Sequence, residues 1–246
     1  MLMDFPKLRI ARAYEAVQQA LEEAILSGAL PPGEPLPTET ELAEKFGVTR
    51  HTVREGMRAL EQSGLVKRDA GRRLHVTRPK HDALATQSSR ALLMQQVSFG
   101  EIWEVAMQLE LLAMDLLEGQ VDDALVGKLQ VNVDAMAVAL DAGEPIAALD
   151  VEFHALLAHA TQNRVLLMSR EPVSLLFYPS LDRLFTHPRT RDRSPRRILE
   201  AHRAIVTALA GGDLGVAKLW MQRHMADFRR GYEHAGLPLD APIGGG

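Results

Sequence analysis

Apolar residues recur three and four apart along most of the chain, and the runs stop at glycine and proline. From about residue 14 to 27, Ala16, Ala20, Leu21, Ala24 and Ile25 share one helical face, and Gly28 supplies the stop. The prolines of "LPPGEPLP" forbid a continuous helix there. Thr38, three residues before Glu41, forms a capping box that opens a short helix ending at Gly47. "VTRHTVREGMRALEQSG" predicts a third helix, with Val53, Met57 and Leu60 inward and Gly64 at its end. Two short helices across a glycine-containing turn make a helix-turn-helix. "LVKRDAGRRLHV" then predicts two short strands around Asp69-Ala70-Gly71-Arg72, a two-stranded wing.

The remainder predicts helices and no strands. "TRPKHDALATQSSRALLMQQVSFG" is expected to be a turn plus a short linker helix. Six helices follow, at about 99–118, 122–142, 146–161, 164–186, 195–210 and 214–234, with breaks at Gly143-Glu144-Pro145, Asn163, His187-Pro188 and Gly211-Gly212. Pro172 and Pro179 predict a kink in the fourth, or its division in two. The expected fold is mainly α: a winged helix-turn-helix over 1–80, a linker over 81–98, an all-helical bundle over 99–236 and a tail over 237–246.

Four polar residues interrupt the apolar faces of that bundle. At ~100° per residue Asp150 and His154 lie about 40° apart, within a face shared by Phe153, Leu156, Leu157 and Ala160. His202 is flanked on its own face by Ile198, Leu199, Ile205, Val206 and Leu209, and His224 by Ala217, Trp220, Met221 and Phe228. His159 falls opposite Asp150 and points to water; His234 is off the His224 face and His187 is in a loop. One buried imidazole ordinarily hydrogen-bonds a carbonyl. Four such groups at the centres of apolar stripes are more economically explained by convergence on one ion. Imidazole nitrogens and a carboxylate oxygen suit a divalent metal, with Zn²⁺, Ni²⁺ or Mn²⁺ favoured.

Charge separates the halves. The net charge of −4 divides into 13 Lys/Arg against 11 Asp/Glu in residues 1–80 and 15 against 21 in the rest. The basic excess sits in 50–73, where Arg50, Arg54, Arg58, Lys67, Arg68, Arg72 and Arg73 face Glu55, Glu61 and Asp69. Charge alone fits a solvated face, but on a helix-turn-helix it suggests a polyanion. Thr49, Arg50, His51, Thr52 and Arg54, at the start of the third helix, would meet base edges and phosphates if that helix entered the major groove of double-stranded DNA. The chain lacks cysteine, which excludes disulfides and thiolate metal sites. It shows neither a signal-peptide h-region nor an apolar run of about 18 residues, so a cytoplasmic protein with no membrane partner is expected.

"ILSGALPPGEPLPTETELAEKFGVTRHTVREGMRALEQSGLV" resembles the winged helix-turn-helix of the GntR family of bacterial transcription regulators. The shared features are the I-x-x-G-x-L-x-P-G-x-x-L-P spacing, E-L-A, G-V-[ST]-R, T-V-R-E and L-E-x-x-G-L-V. The resemblance implies operator binding through the recognition helix and the wing tip, which adds Gly71 and Arg72. Gly71-Arg72-Arg73-Leu74 replaces the usual G-R-G-T there, and Thr40 stands where many members carry Arg.

Asp150-Val151-Glu152-Phe153-His154, Asn163, His202 and His224 are in turn similar to the FCD effector domain of the FadR subgroup, in its metal-binding branch. That likeness implies a homodimer, one divalent ion per chain on Asp150, His154, His202 and His224, and a small organic acid effector held with the ion's help. "EVAMQLE" departs from it, carrying Ala106 and Met107 where an Arg often precedes the L-E pair. The expected function is ligand-responsive transcription regulation, as a repressor. The alternatives are a metal sensor in which the ion is the signal, and a metal-dependent enzyme. No H-E-x-x-H occurs, and no core-facing Glu is evident near the ligands to serve an enzyme as general base.

Overall fold

The computed structural model describes residues 13–70, 73–77 and 81–243. The chain divides into two units, Met1–Lys80 and His81–Gly246.

The first unit holds α1 (Ala13–Leu26), α2 (Glu39–Phe46), α3 (Arg50–Gln62) and the antiparallel pair β1 (Val66–Arg68) and β2 (Leu74–Val76). α2 begins at the expected capping box: the Thr38 N–H donates to Glu41 Oε2 at 2.7 Å, and the Glu41 N–H donates to Thr38 Oγ1 at 3.3 Å. It stops at Gly47, whose φ of 64° is a left-handed cap that glycine adopts without steric cost. Val17, Leu21, Ile25, Leu42, Val53, Met57 and Leu60 close the core against Leu36, Val66, Leu74 and Val76.

One expectation shifts. Val17, rather than Ala16, is the buried residue of the first turns of α1, and Ala16 is exposed. The cause is the close crossing at Gly56 of α3, where an added Cβ would meet Val17 Cγ1 and the Tyr14 carbonyl, each at 3.0 Å. The wing forms as the expected two strands, with Val66 opposite Val76, and residues 33–36 extend it through hydrogen bonds to Leu74 and Val76. Its tip residues Gly71 and Arg72 lie outside the described residues.

The second unit holds α4 (His81–Met94), α5 (Phe99–Leu116), α6 (Asp123–Asp141), α7 (Ala147–Ala160), α8 (Arg164–Thr186), α9 (Ser194–Ala210) and α10 (Leu214–Ala235). Residues 81–98, expected as a linker, are mostly α4, which packs along α8 within this unit. Residues 237–243, expected as tail, also pack on the core: Leu237, Leu239 and Ile243 lie against it, and the Gly100 N–H donates to the Leu239 carbonyl at 2.7 Å. α8 runs through both prolines as one helix, so it is not divided in two. The hydroxyls of Ser174 and Ser180 donate back to the carbonyls of Arg170 and Leu176 within it.

Paired helices position the site. α10 packs against α9 and α5, α6 against α7 and α9, and α8 against α5 and α7. Stacked Phe99 and Tyr232 (centroids 3.5 Å apart) pin α5 to α10, and the Tyr232 hydroxyl donates to the Ser180 carbonyl of α8 at 2.6 Å. Among the described residues no helix is long and apolar enough to cross a membrane.

Candidate metal centre and DNA-reading helix

α7 carries Asp150 and His154 one turn apart on its buried face; α9 brings His202 and α10 brings His224. All four are at most 1% exposed. Their donor atoms converge. Asp150 Oδ1 stands 3.4 Å from His202 Nε2, 3.8 Å from His224 Nε2 and 3.9 Å from His154 Nε2. His224 Nε2 is 3.0 Å from His154 Nε2 and 3.4 Å from His202 Nε2. This is the one group among the described residues whose donor atoms lie within 4.8 Å of one another in this way. His159 is exposed on the far side of α7, as its phase requires.

Without a cation the cluster is poorly satisfied. Neither carboxylate oxygen of Asp150 has a hydrogen-bond partner, and neither does His202 Nδ1. Burial raises the Asp150 carboxyl to about 6, with Glu110 adding to the effect and His154 and Arg170 opposing it. Burial also holds the imidazoles of His202 and His224 well below their ordinary value, helped by the neighbouring histidines. The chemistry of the set fits a divalent ion. At bond lengths of about 2.0–2.1 Å, ligand atoms on one such ion stand roughly 3.0–3.4 Å apart, close to the spacing seen. A cation there would supply the missing partner of Asp150 and favour neutral imidazoles.

Three further residues surround the cluster, and sequence reading passed over all of them. Glu110 of α5 is buried, contrary to the expectation that no core-facing Glu lies near the ligands: its Oε2 is 2.9 Å from His154 Nδ1. Its Oε1 accepts from Arg170 Nε of α8 at 2.8 Å, and Arg170 Nη2 donates to the Tyr178 hydroxyl at 3.0 Å. Burial pushes the Glu110 carboxyl up, but His154 and Arg170 together outweigh it and hold it at about 2. The Glu110 signal was present, since Ile102, Ala106, Glu110, Ala113 and Leu117 form one helical stripe. Arg170 was hidden by the prolines that argued against one continuous α8. Arg170 also places a guanidinium beside α5, whose own Ala106 and Met107 supply no charge.

At the other unit, α3 presents its N-terminal turns. Thr49, Arg50, His51 and Arg54 are exposed and Thr52 is half-buried, while Val53, Met57 and Leu60 face the core. Three of these are engaged within the chain, the Thr49 and Thr52 hydroxyls standing 2.9 Å apart. The Thr49 hydroxyl is the N-cap, accepting from the Thr52 N–H at 3.2 Å. Arg54 binds Glu39 of α2 with Nε at 3.0 Å from Oε1 and Nη2 at 2.7 Å from Oε2. Arg58 and Arg68 pair with Glu55 and Glu61, whereas Arg50 makes no ion pair among the described residues.

Residues 13–76 match the bacterial regulatory proteins of the gntR family, and residues 101–227 match the FCD domain. The chain belongs to the GntR family. It is 30% identical over 217 residues to YdhC, an uncharacterized HTH-type transcriptional regulator of Bacillus subtilis (strain 168), covering 87% of each protein. It is 29% identical over 208 residues to the HTH-type transcriptional regulator LutR of the same strain, covering 82% of this chain and 93% of LutR. A solved structure of Streptococcus agalactiae GntR is similar at a TM-score of 0.54 and 25% identity, over 88% of this chain and 99% of that one. This GntR-family protein is thus a ligand-responsive transcription regulator and not an enzyme, with a DNA-binding unit joined to an effector unit that contains a buried Asp/His₃ cluster.

Proposed function

We propose that the protein is a homodimeric repressor that reads a pseudo-palindromic operator. In this reading Asp150, His154, His202 and His224 hold one divalent ion per chain, Zn²⁺, Ni²⁺ or Mn²⁺, at which a small carboxylate effector binds. The observation that carries the metal reading is the unsatisfied, fully buried Asp150 carboxylate within 3.4–3.9 Å of three imidazole nitrogens. A carboxylate effector is supported by charge. Ionised Asp150 and Glu110, with Arg170 and a divalent ion, leave one net positive charge in a dry interior, which a monoanion neutralises.

The DNA reading rests on the exposed start of α3. Arg50 and Arg54 supply one base-edge and one phosphate contact, and Thr49, His51 and Thr52 supply polar contacts beside them. Gly71 and Arg72 are read as further DNA contacts from the sequence. Dimerisation follows from the few base pairs that one winged helix can read. Repression is the simplest outcome of a dimer seated on a promoter.

The test is bound metal measured on purified protein, followed by thermal-shift titration with small carboxylates before and after chelation, with the mass in solution and operator binding recorded alongside. One ion per chain, a dimer, and a carboxylate response that needs the ion and loosens operator binding are expected. Full metal occupancy in His202→Ala/His224→Ala would remove the site, and His159→Ala is the neutral control. The complete burial of the cluster favours one other reading, in which the ion itself is the signal. A chelator that releases operator while carboxylates do nothing would select it.

A further inference from the structure

We infer that Glu110 is a positioning residue for the metal centre, fixing His154 in the one tautomer that can bind an ion, and that Arg170 and Tyr178 hold Glu110 in place for that purpose. The inference rests on the proposed metal reading and concerns residues outside the ligand set. The Glu110 carboxylate is ion-paired with the Arg170 guanidinium at 2.8 Å, and an ionised carboxylate can only accept hydrogen bonds. Its other oxygen lies 2.9 Å from His154 Nδ1, so Nδ1 must be the donor. A neutral imidazole with its proton on Nδ1 carries a bare lone pair on Nε2. That Nε2 is the atom facing Asp150 and His224. The opposite tautomer would set two lone pairs against each other at Glu110 and drive an N–H into the ligand cluster.

His202 provides the contrast. Its Nδ1 is buried with no partner, so no group behind the ring presets its tautomer; the ring stacks on Phe153, with centroids 3.7 Å apart, and its Nε2 stands 3.4 Å from His224 Nε2. One ligand is therefore pre-organised from behind and another is not. The chain from His154 through Glu110 to Arg170 and Tyr178 also ties the ion to α5 and α8, which contribute no ligand of their own. Outer partners of this kind typically set metal affinity by about 10–100-fold.

The test uses the full-length protein and Co²⁺, followed by its ligand-field absorption and by competition with a chelator. The informative variant is Glu110→Leu/Arg170→Met, which removes both buried charges and the acceptor for His154 Nδ1 together. It is expected to keep the wild-type circular dichroism, to bind Co²⁺ about 10–100-fold more weakly, and to show altered ligand-field bands. A double variant that matches wild type in affinity and spectrum overturns the inference and leaves the metal reading intact. A wild-type protein that takes up no Co²⁺ overturns the metal reading itself. Long-range ¹H–¹⁵N spectra of metal-free wild type then test the Glu110 contact without any variant: a proton on Nδ1 of His154 is expected, and a proton on Nε2 would overturn it.

Discussion

The two units of this regulator place their working residues in opposite environments. On α3 Arg50, His51 and Arg54 are exposed side chains in water, replaceable with little strain on the fold, while Thr49 caps the helix and Thr52 is half-buried. In the effector unit seven polar residues, Glu110, Asp150, His154, Arg170, Tyr178, His202 and His224, are buried inside an otherwise apolar bundle. The energetic scale follows from that difference. A surface contact is discounted by solvent and salt, whereas a buried ionic group left without its partner bears its full desolvation cost. Chemistry in the second unit is therefore inseparable from stability, and in the first unit it is nearly independent of it.

The sharpest way to break this contrast is Arg170→Met. It leaves Glu110 buried with only His154 and the Tyr178 hydroxyl as partners, and losing one member of a buried ion pair typically costs about 3–5 kcal/mol. The effector unit is expected to melt far earlier, while the N-terminal unit, followed by exchange protection of amides such as those of Val53 and Leu60, is unchanged. Wild-type stability in this variant would mean that the buried pair is worth no more than a surface one.

Metal and pH come next. Removing the proposed ion should cost about 2.7 kcal/mol if it is present at 100 times its Kd. The metal-free chain should then respond to pH in a definite sense. His202 and His224 are held below their ordinary value, so their contribution is present above about 6.5, the unfolded value, and is lost as pH falls through their folded values. Asp150, raised to about 6, acts oppositely: its contribution is full below its unfolded value and is lost as pH rises through about 6. Between pH 6 and 5 two imidazoles oppose one carboxyl. Metal-free protein should therefore lose stability on acidification. Melting curves after chelation at pH 7, 6 and 5 check this, and no pH dependence, or a rise toward pH 5, would contradict the buried, neutral state of the histidines.

Legibility in the sequence divides along the same line. The six helices from α5 to α10 were visible in their apolar spacing and their Gly, Asn or Pro stops, and Asp150, His154, His202 and His224 stood out because each interrupts a stripe. Glu110 interrupts one too, but a long helix with an acidic residue also reads as solvated, and only the partner from α8 marks it as buried. That partner is far away in sequence, and the prolines beside it obscured the helix that delivers it. Residues 81–98 and 237–243 read as connection and tail because what orders them is contact with α8, α5 and one another, which no local pattern encodes.

For the exposed unit the expected effects are smaller on folding and larger on binding. If Arg50 is the bidentate base contact, Arg50→Ala should weaken operator binding by about 1–3 kcal/mol and relax specificity at one base pair, with the melting temperature unmoved. Competition between operator variants and nonspecific DNA reads both effects. A uniform loss across all sequences with a shallower salt slope would instead assign Arg50 to phosphate.

The smallest effect, and the one that probes the boundary between the two regimes, belongs to Arg54. Its guanidinium is bound to Glu39, but the side chain keeps about half of its exposure at 48%, so the pair is solvent-screened and should contribute little to folding. Glu39→Gln should thus barely move the melting temperature. It should, however, release Arg54 and delete a negative charge from the face carrying Arg50, so nonspecific DNA affinity should rise and its salt dependence should steepen. Arg54→Ala should do the reverse, flattening the salt slope. A Glu39→Gln protein with unaltered DNA binding across a salt titration would show that Arg54 serves only to join α2 to α3. A loss of stability as large as that of Arg170→Met would dissolve the distinction between the exposed and the buried pair.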